Sequence, residues 1–255
     1  MSTDPATIWV DQIAVTRIPM LADNYAWLLR DTPSGMVAMI DPAEVAPAQA
    51  AIEQAATGQA GGRLDYILLT HHHDDHIAGA AALGAHYGAK LVGNGADAAR
   101  LPKLDVAMRP GELLAFGETE IRMIETSGHT VGHVSFVIGA RIAAVGDTLF
   151  SLGCGRMFEG NPEQFYASIQ RIAALPPDTL LLCGHEYTKG NIGFALSVDP
   201  QNPALQARAT EVEALRVRGA ATLPVRLGDE LATNPFLRAP DAATFGRLRA
   251  AKDRF

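Results

Sequence analysis

The chain has 255 residues, is 48% hydrophobic and carries a net charge of −7, which suits one large domain, or one with a smaller addition, and argues against a disordered chain or a general nucleic-acid binder. No apolar run approaches the ~20 residues of a membrane span, and the opening Met1-Ser2-Thr3-Asp4-Pro5 lacks the basic-then-apolar order of a signal peptide, so a protein without membrane contacts is expected. The two cysteines, Cys154 and Cys183, are too few for a disulfide framework and fit a reducing cytoplasm. In chain order, residues 8–18 and 24–31 are rich in β-branched and aromatic residues and are expected to be strands. Asp31 to Gly35 is a turn signal, and Met36 to Ile40 pairs back as a hairpin until Asp41-Pro42 breaks it. Ala46 to Ala56 has a helical pattern ending near Gly58. A strand follows at 65–70, then a His-rich loop, a helix at 77–89 and a short strand from Lys90 to Gly93.

The stretch from Leu104 to Val145 is β-rich, with runs at Ile121–Glu125, Val134–Ile138 and Ile142–Val145 separated by glycine-containing turns. Asn161-Pro162-Glu163 predicts a helix start, with a capping side chain and proline at the first helical position; that helix runs to about Ala174. Thr179 to Cys183 is an apolar strand. After His185 no strand pattern is found, and helices are expected at about 189–197, 203–218 and 241–252. Charge changes at the same place: residues 1–186 balance to −10 and residues 187–255 to +3. A boundary near residue 186 is therefore expected. On composition alone the basic C-terminus reads as a solvated helix face.

Chemistry concentrates in His71-His72-His73-Asp74-Asp75-His76, between the apolar run Tyr66–Thr70 and the alanine-rich stretch from Ile77. Loops that follow the carboxyl end of a strand are where α/β folds bind ligands. Crowded imidazoles and carboxylates gain from a metal, being its usual non-thiol ligands. His71 and His73 alternate and so face one way in an extended loop. Asp75 and His76 follow at once, and two ions about 3.5–4 Å apart are the natural way to use all four. Further ligands are then needed. His129, Asp147 and His185 share one context, a polar residue beside glycine just after an apolar strand. His72 is expected to point away, His86 to be a surface or packing residue on its helix, and His133 to support the ligands from behind or to be structural. No G-x-S-x-G elbow is present.

Thr70-His71-His72-His73-Asp74-Asp75-His76, with Gly-His129, Gly-Asp147 and Gly-His185 in order, resembles the T-H-x-H-x-D-H signature of the metallo-β-lactamase superfamily. That resemblance implies an α/β (α+β) four-layer αββα sandwich with a dinuclear site at one edge. It implies His71, His73 and His129 on one ion, Asp75, His76 and His185 on the second, and Asp147 bridging. The glyoxalase II (hydroxyacylglutathione hydrolase) family is the nearer likeness. Ile18–Leu29, Gly146-Asp147-Thr148-Leu149-Phe150, Gly153-Cys154-Gly155-Arg156, Cys183–Thr188, Asn234–Arg238 and the terminal Lys252-Asp253-Arg254-Phe255 are similar to its motifs, covering essentially the whole chain.

This family likeness implies a catalytic domain over 1–186 and a helical glutathione-binding domain over 187–255. The implied reaction is hydrolysis of S-(2-hydroxyacyl)glutathione, typically S-D-lactoylglutathione, by a metal-held hydroxide, the second step of methylglyoxal detoxification. Asp75 and Asp147 would serve catalysis; Arg156, Phe158, Tyr187, Arg249 and Lys252 would bind substrate. Two sites depart from the family pattern: Phe158 where tyrosine is common, and Arg156 where lysine is common. Zinc is the expected metal, with iron or manganese also suited to the donors. A cytoplasmic monomer acting on a small-molecule thioester is expected. The alternatives are a mononuclear-iron persulfide dioxygenase, which needs the His-rich loop and not the basic tail, another hydrolase of the superfamily such as a lactonase, or a structural zinc module, which the absence of a cysteine-rich closed site disfavours.

Overall fold

The computed structural model describes residues 6–55 and 62–255. Ala6–Val10 (β1) and Ile13–Met20 (β2) form a hairpin turned at Asp11-Gln12. The single strand expected over 8–18 is thus two, because Asp11 takes the left-handed conformation (φ 53°) that aspartate tolerates in tight turns. Asn24–Asp31 (β3) and Val37–Ile40 (β4) extend the sheet antiparallel, as the hairpin signal predicts. Val45–Ala55 (α1) follows; its expected end near Gly58 lies outside the described residues.

Tyr66–Leu68 (β5), Lys90–Asn94 (β6) and Val106–Met108 (β7) add parallel strands to complete a seven-stranded sheet. The helix expected at 77–89 starts earlier and is broken into Asp74–Ile77 (α2) and Ala80–Tyr87 (α3). The break falls at Gly79, whose N–H donates to Pro42 O at 2.9 Å. The second half of the His-rich stretch is therefore helical rather than loop.

Leu113–Phe116 (β8), Thr119–Glu125 (β9), Val134–Ile138 (β10) and Ile142–Gly146 (β11) form an antiparallel meander. Leu149–Phe150 (β12) and Gly153–Cys154 (β13) make a small hairpin. Pro162–Ala173 (α4) starts where expected: the Asn161 side chain accepts from Gln164 N–H at 2.8 Å. Leu180–Cys183 (β14) lies parallel to β11. Thr188–Val198 (α5), Pro203–Val217 (α6) and Ala242–Lys252 (α8) are the three expected helices. Besides β12 and β13, two elements of the tail were not expected: Val225–Arg226 (β15), which pairs with β14, and Leu227–Thr233 (α7).

Residue alternation builds the layers. Trp27, Leu29, Ala38 and Ile40 pack into one core with Met123, Val134 and Phe136 of the second sheet. Their neighbours Ala26, Leu28, Val37 and Met39 face the other way and pack with Ala48, Ile52 and Leu83 of α1 and α3. Phe165, Ile169 and Ile172 of α4 join the first core, and α8 packs on α4. The result is an αββα sandwich with helical elements at its C-terminal end. Among the described residues no helix is long and apolar enough to cross a membrane.

Candidate metal centre and substrate pocket

The centre lies where β4, β5, β11 and β14 end, so each strand hands over one or more polar side chains at a common edge. After β5, the Thr70 hydroxyl donates to Asp41 Oδ2 (2.6 Å) and its N–H to Asp41 Oδ1 (2.9 Å). With its proton spent, the Thr70 oxygen accepts from His71 Nδ1 at 3.0 Å. His71 Nε2 is left with its lone pair pointing inward. The same logic fixes three more rings: Nδ1 donates to Arg156 O from His129 (2.8 Å), to Asp41 Oδ2 from His76 (3.1 Å) and to Asp23 Oδ1 from His185 (3.0 Å).

Those inward nitrogens converge. His73 Nδ1 lies 3.1 Å from His71 Nε2 and 3.0 Å from His129 Nε2. His76 Nε2 lies 3.3 Å from His185 Nε2, and Asp75 Oδ2 stands 3.4 Å from the latter. The chain thus presents two groups whose donor atoms fall within 4.8 Å of one another, His71-His73-His129 and Asp75-His76-His185. Asp147 faces both: Oδ1 is 3.4 Å from His76 Nε2, while Oδ2 is 3.3 Å from His185 Nε2 and 3.6 Å from His129 Nε2. A third grouping, Asp41 with His71 and His76, is also close. Asp41 is already committed to Thr70 and His76 Nδ1, so it orients ligands.

These donors fit divalent ions. Ligands around a tetrahedral ion with bonds of about 2.0–2.1 Å stand about 3.3 Å apart, close to the spacings here. Imidazole nitrogens aimed at one another need a proton or a metal ion between them, and the buried Asp147 Oδ1 has no hydrogen-bond partner.

The charge balance agrees. Burial holds His71 well below the usual imidazole range and lowers His73 and His129. Burial works against charge at His76 and His185 too, but there the Asp147 carboxylate prevails, raising His76 well above normal and His185 to about 10. Hydrogen bonding from His185 holds Asp75 below the usual carboxylate range, and burial of Asp147 is outweighed by His76 and His185. Without cations, the carboxylates draw protons onto the imidazoles; divalent ions would take their place.

Four supporting residues escaped sequence reasoning or were under-read there. Asn24 Nδ2 donates to Asp75 Oδ2 (2.9 Å) and to Asp75 O (3.0 Å). Asp23 orients His185. Asp41 carried a legible signal, since it closes the apolar run of β4 as His71 closes that of its parallel neighbour β5. His133, expected to support the ligands or to be structural, receives the Asp147 N–H on Nε2 at 3.1 Å and has Thr126 and Thr148 hydroxyls 3.0 Å from Nδ1. Gly146 makes this approach feasible: its φ is 47°, and a Cβ there would stand 2.6 Å from Thr70 Oγ1 and 2.8 Å from His133 Nε2. As expected, His72 turns aside, with Nδ1 3.5 Å from Asp97 Oδ2, and His86 is exposed.

A cavity of about 530 Å³ opens over the donors, lined also by Arg156, Phe158, Tyr187, Arg249 and Lys252, all five of the expected substrate residues. Phe158 is 61% exposed and meets the rings of His73 and His129 edge-on; Tyr187 stacks on His185 at 4.5 Å. Arg156 is exposed at the rim, with no ion pair among the described residues. Arg249 lines the cavity from a buried position. It is only 3% exposed, and its Nη1 donates to Cys154 O (2.8 Å) and Gly155 O (3.2 Å) while Nη2 donates to Asp253 (3.0 Å). Cys154 is buried and its thiol pushed up to about 11, which makes it a poor nucleophile.

Residues 22–185 match the family model described as "Metallo-beta-lactamase superfamily", and residues 186–255 match "Hydroxyacylglutathione hydrolase C-terminus". A hydroxyacylglutathione hydrolase of Acidiphilium cryptum is 63% identical over 241 residues, covering 94% of this chain and 96% of its own. One from Rhodospirillum rubrum is 44% identical over 265 residues, covering 98% and 100%. Among solved structures, ETHE1 from Myxococcus xanthus superposes with a TM-score of 0.66 at 22% identity, covering 97% of this chain and 90% of that one. A metallo-beta-lactamase from Staphylococcus aureus gives 0.70 at 16% identity, covering 96% and 73%. At such identities the two structures speak for the fold alone.

Proposed function

The chain belongs to the hydroxyacylglutathione hydrolases (glyoxalase II) of the metallo-β-lactamase superfamily, and from that premise we propose how its residues divide the work. It is a metal-dependent hydrolase that cleaves the thioester of S-(2-hydroxyacyl)glutathione to glutathione and a 2-hydroxy acid. The persulfide dioxygenase alternative is not favoured, since the relatives at 63% and 44% identity are named hydroxyacylglutathione hydrolases.

We assign His71, His73 and His129 to one ion, Asp75, His76 and His185 to the second, and Asp147 to both. The observation that carries this is the convergence of inward-facing ring nitrogens on two points flanking the Asp147 carboxylate. Zinc is our assignment for both ions, on the nitrogen and oxygen donor set. When bound, the ions supply a water-derived nucleophile near neutral pH and polarise the thioester carbonyl.

The protein's own groups do the rest. Asp75, fixed by Asn24 and kept ionised, orients the attacking water and accepts its hydrogen bond. Arg156 and Lys252 reach the cavity as cations and hold the carboxylates of the glutathione moiety, with the charge of Arg249 behind them. Tyr187, stacked on His185, flanks the acyl group and keeps bulk water from the reacting carbonyl, while the exposed Phe158 ring packs against the glutathione moiety. The C–S bond breaks, glutathione leaves as the thiolate, and the water oxygen stays with the acid.

We propose that residues 1–186 form the catalytic part, since all seven ligands lie there, and that residues 187–255 complete the glutathione site with Tyr187, Arg249 and Lys252. A working monomer is our assignment for its assembly. Both cysteines are free, in keeping with the cytoplasm as our assignment of its compartment. His73→Ala tests the metal assignment: metal content by mass spectrometry and thioester turnover should fall together, turnover by at least about a hundredfold. Full metal content in that variant would contradict the ligand set.

A further inference from the structure

Glu230 is fully buried, and no step described so far uses it. Its carboxylate accepts from the Ser151 hydroxyl (2.6 Å), from Leu152 N–H (2.7 Å) and from Asn234 Nδ2 (2.9 Å). Ser151 and Leu152 form the turn between β12 and β13, and Leu152 sits there at φ 59°, a conformation leucine rarely adopts. Asn234 Nδ2 also lies 3.0 Å from both Phe150 O and Gly153 O, its two N–H groups shared among three acceptors, and Asn191 donates to Ser151 O at 3.0 Å. A Cβ on Gly153 would stand 2.5 Å from Asn191 Nδ2. The Leu152 side chain is fully buried, packed with Ala195 and Leu205 of α5 and α6. The tip of this hairpin is thus inserted into the helical tail and held there by tail side chains. Its other end leads into the substrate cavity, which Phe150, Cys154, Arg156 and Phe158 line.

We propose that Glu230 is a positioning residue for substrate binding: by holding the strained Ser151–Leu152 turn, it fixes the 154–158 segment that presents Arg156 and Phe158 to glutathione. The tail then shapes the glutathione site through backbone geometry as well as through contacts of its own. Arg249 works in the same sense, since its donors grip Cys154 O and Gly155 O of the next residues along. Strain of this kind persists only where surrounding structure over-determines it, and a buried carboxylate receiving a backbone N–H is such a restraint. The proposal rests on the glutathione-thioester reading of the cavity.

Glu230→Ala tests it, because it leaves the Ser151 hydroxyl, Leu152 N–H and Asn234 Nδ2 without their shared acceptor, whereas a glutamine amide could still pair with all three. With the metal-loaded variant, KM for S-D-lactoylglutathione should rise about tenfold while kcat stays within about threefold and metal content is unchanged. The N-acetylcysteamine thioester of lactate lacks both glutathione carboxylates; its kcat/KM should change less than about threefold. Equal losses on both thioesters, or an unchanged KM for the glutathione thioester, would overturn the proposal. Should Glu230→Ala not fold, Ser151→Ala removes one donor, leaves the carboxylate in place, and is read by the same two substrates. A wild type inactive on glutathione thioesters would sink the functional reading instead. Calorimetric titration with glutathione would then still decide the clamp, binding about tenfold weaker in the variant supporting it and equal binding overturning it.

Discussion

His71, His76, His129 and His185 each give one ring nitrogen to an outward partner and present the other inward, and this determines how the centre responds to pH. In the metal-free protein His76 and His185 are held protonated, the latter to about 10, with burial opposing and Asp147 prevailing. A raised histidine contributes stability that is complete below its unfolded pKa of about 6.5 and is lost as pH climbs toward the folded value. Metal binding displaces the same protons, so affinity runs the other way and rises through that window. The difference in Tm with and without zinc should therefore widen between about pH 6.5 and 8.5. Melting curves at the two pH values check the sign, and a narrowing gap would contradict it. The seven ligand candidates were legible because they cluster in the loop or follow a strand beside glycine. Asp23, Asn24 and Glu230 were not, since their partners lie 51 to 162 positions away and no local pattern marks them. The burial of Arg249 against Cys154 O was hidden for the same reason, since the two lie 95 positions apart.

At the scale of elements, local signals succeeded where they are strongly local. The Asn161-Pro162 start of α4 and the runs of β10 and β11 stand essentially where the sequence puts them. Asn161→Ala should lower stability by about 1 kcal/mol without moving KM, measured by denaturant unfolding beside steady-state kinetics. A loss of KM with no loss of stability would contradict a purely capping role. The β1–β2 turn, the early start of α2, β15 and α7 were missed because tertiary pairing overrides weak local preference in segments of two to seven residues. Gly146 links this scale to the chemistry. Its alanine variant must displace Thr70 or His133 and with them the backbone of Asp147, so Gly146→Ala should lose metal before it loses secondary structure. Metal analysis beside far-ultraviolet circular dichroism checks this; full metal content would contradict it.

Over the whole molecule, the sandwich and the basic tail depend on one another. Leu223, Val225, Leu227, Phe236 and Phe245 belong to the main core, and Glu186 is tied to Thr222 through both carboxylate oxygens. Burying each such side chain is worth about 1.5–3 kcal/mol, so residues 1–186 expressed alone should show no cooperative melt; a sharp transition in that fragment would contradict the shared core. Composition showed the shift of charge near residue 186 and hid this shared packing, because apolar residues in short segments do not announce their partners. The measurement that bears most directly on the account is thiol release from S-D-lactoylglutathione by the purified metal-loaded protein, with oxygen uptake on glutathione persulfide followed in parallel. The account predicts rapid thioester turnover, abolished by chelation and restored by divalent metal, with no oxygen uptake. Oxygen consumption without thioester hydrolysis would contradict it.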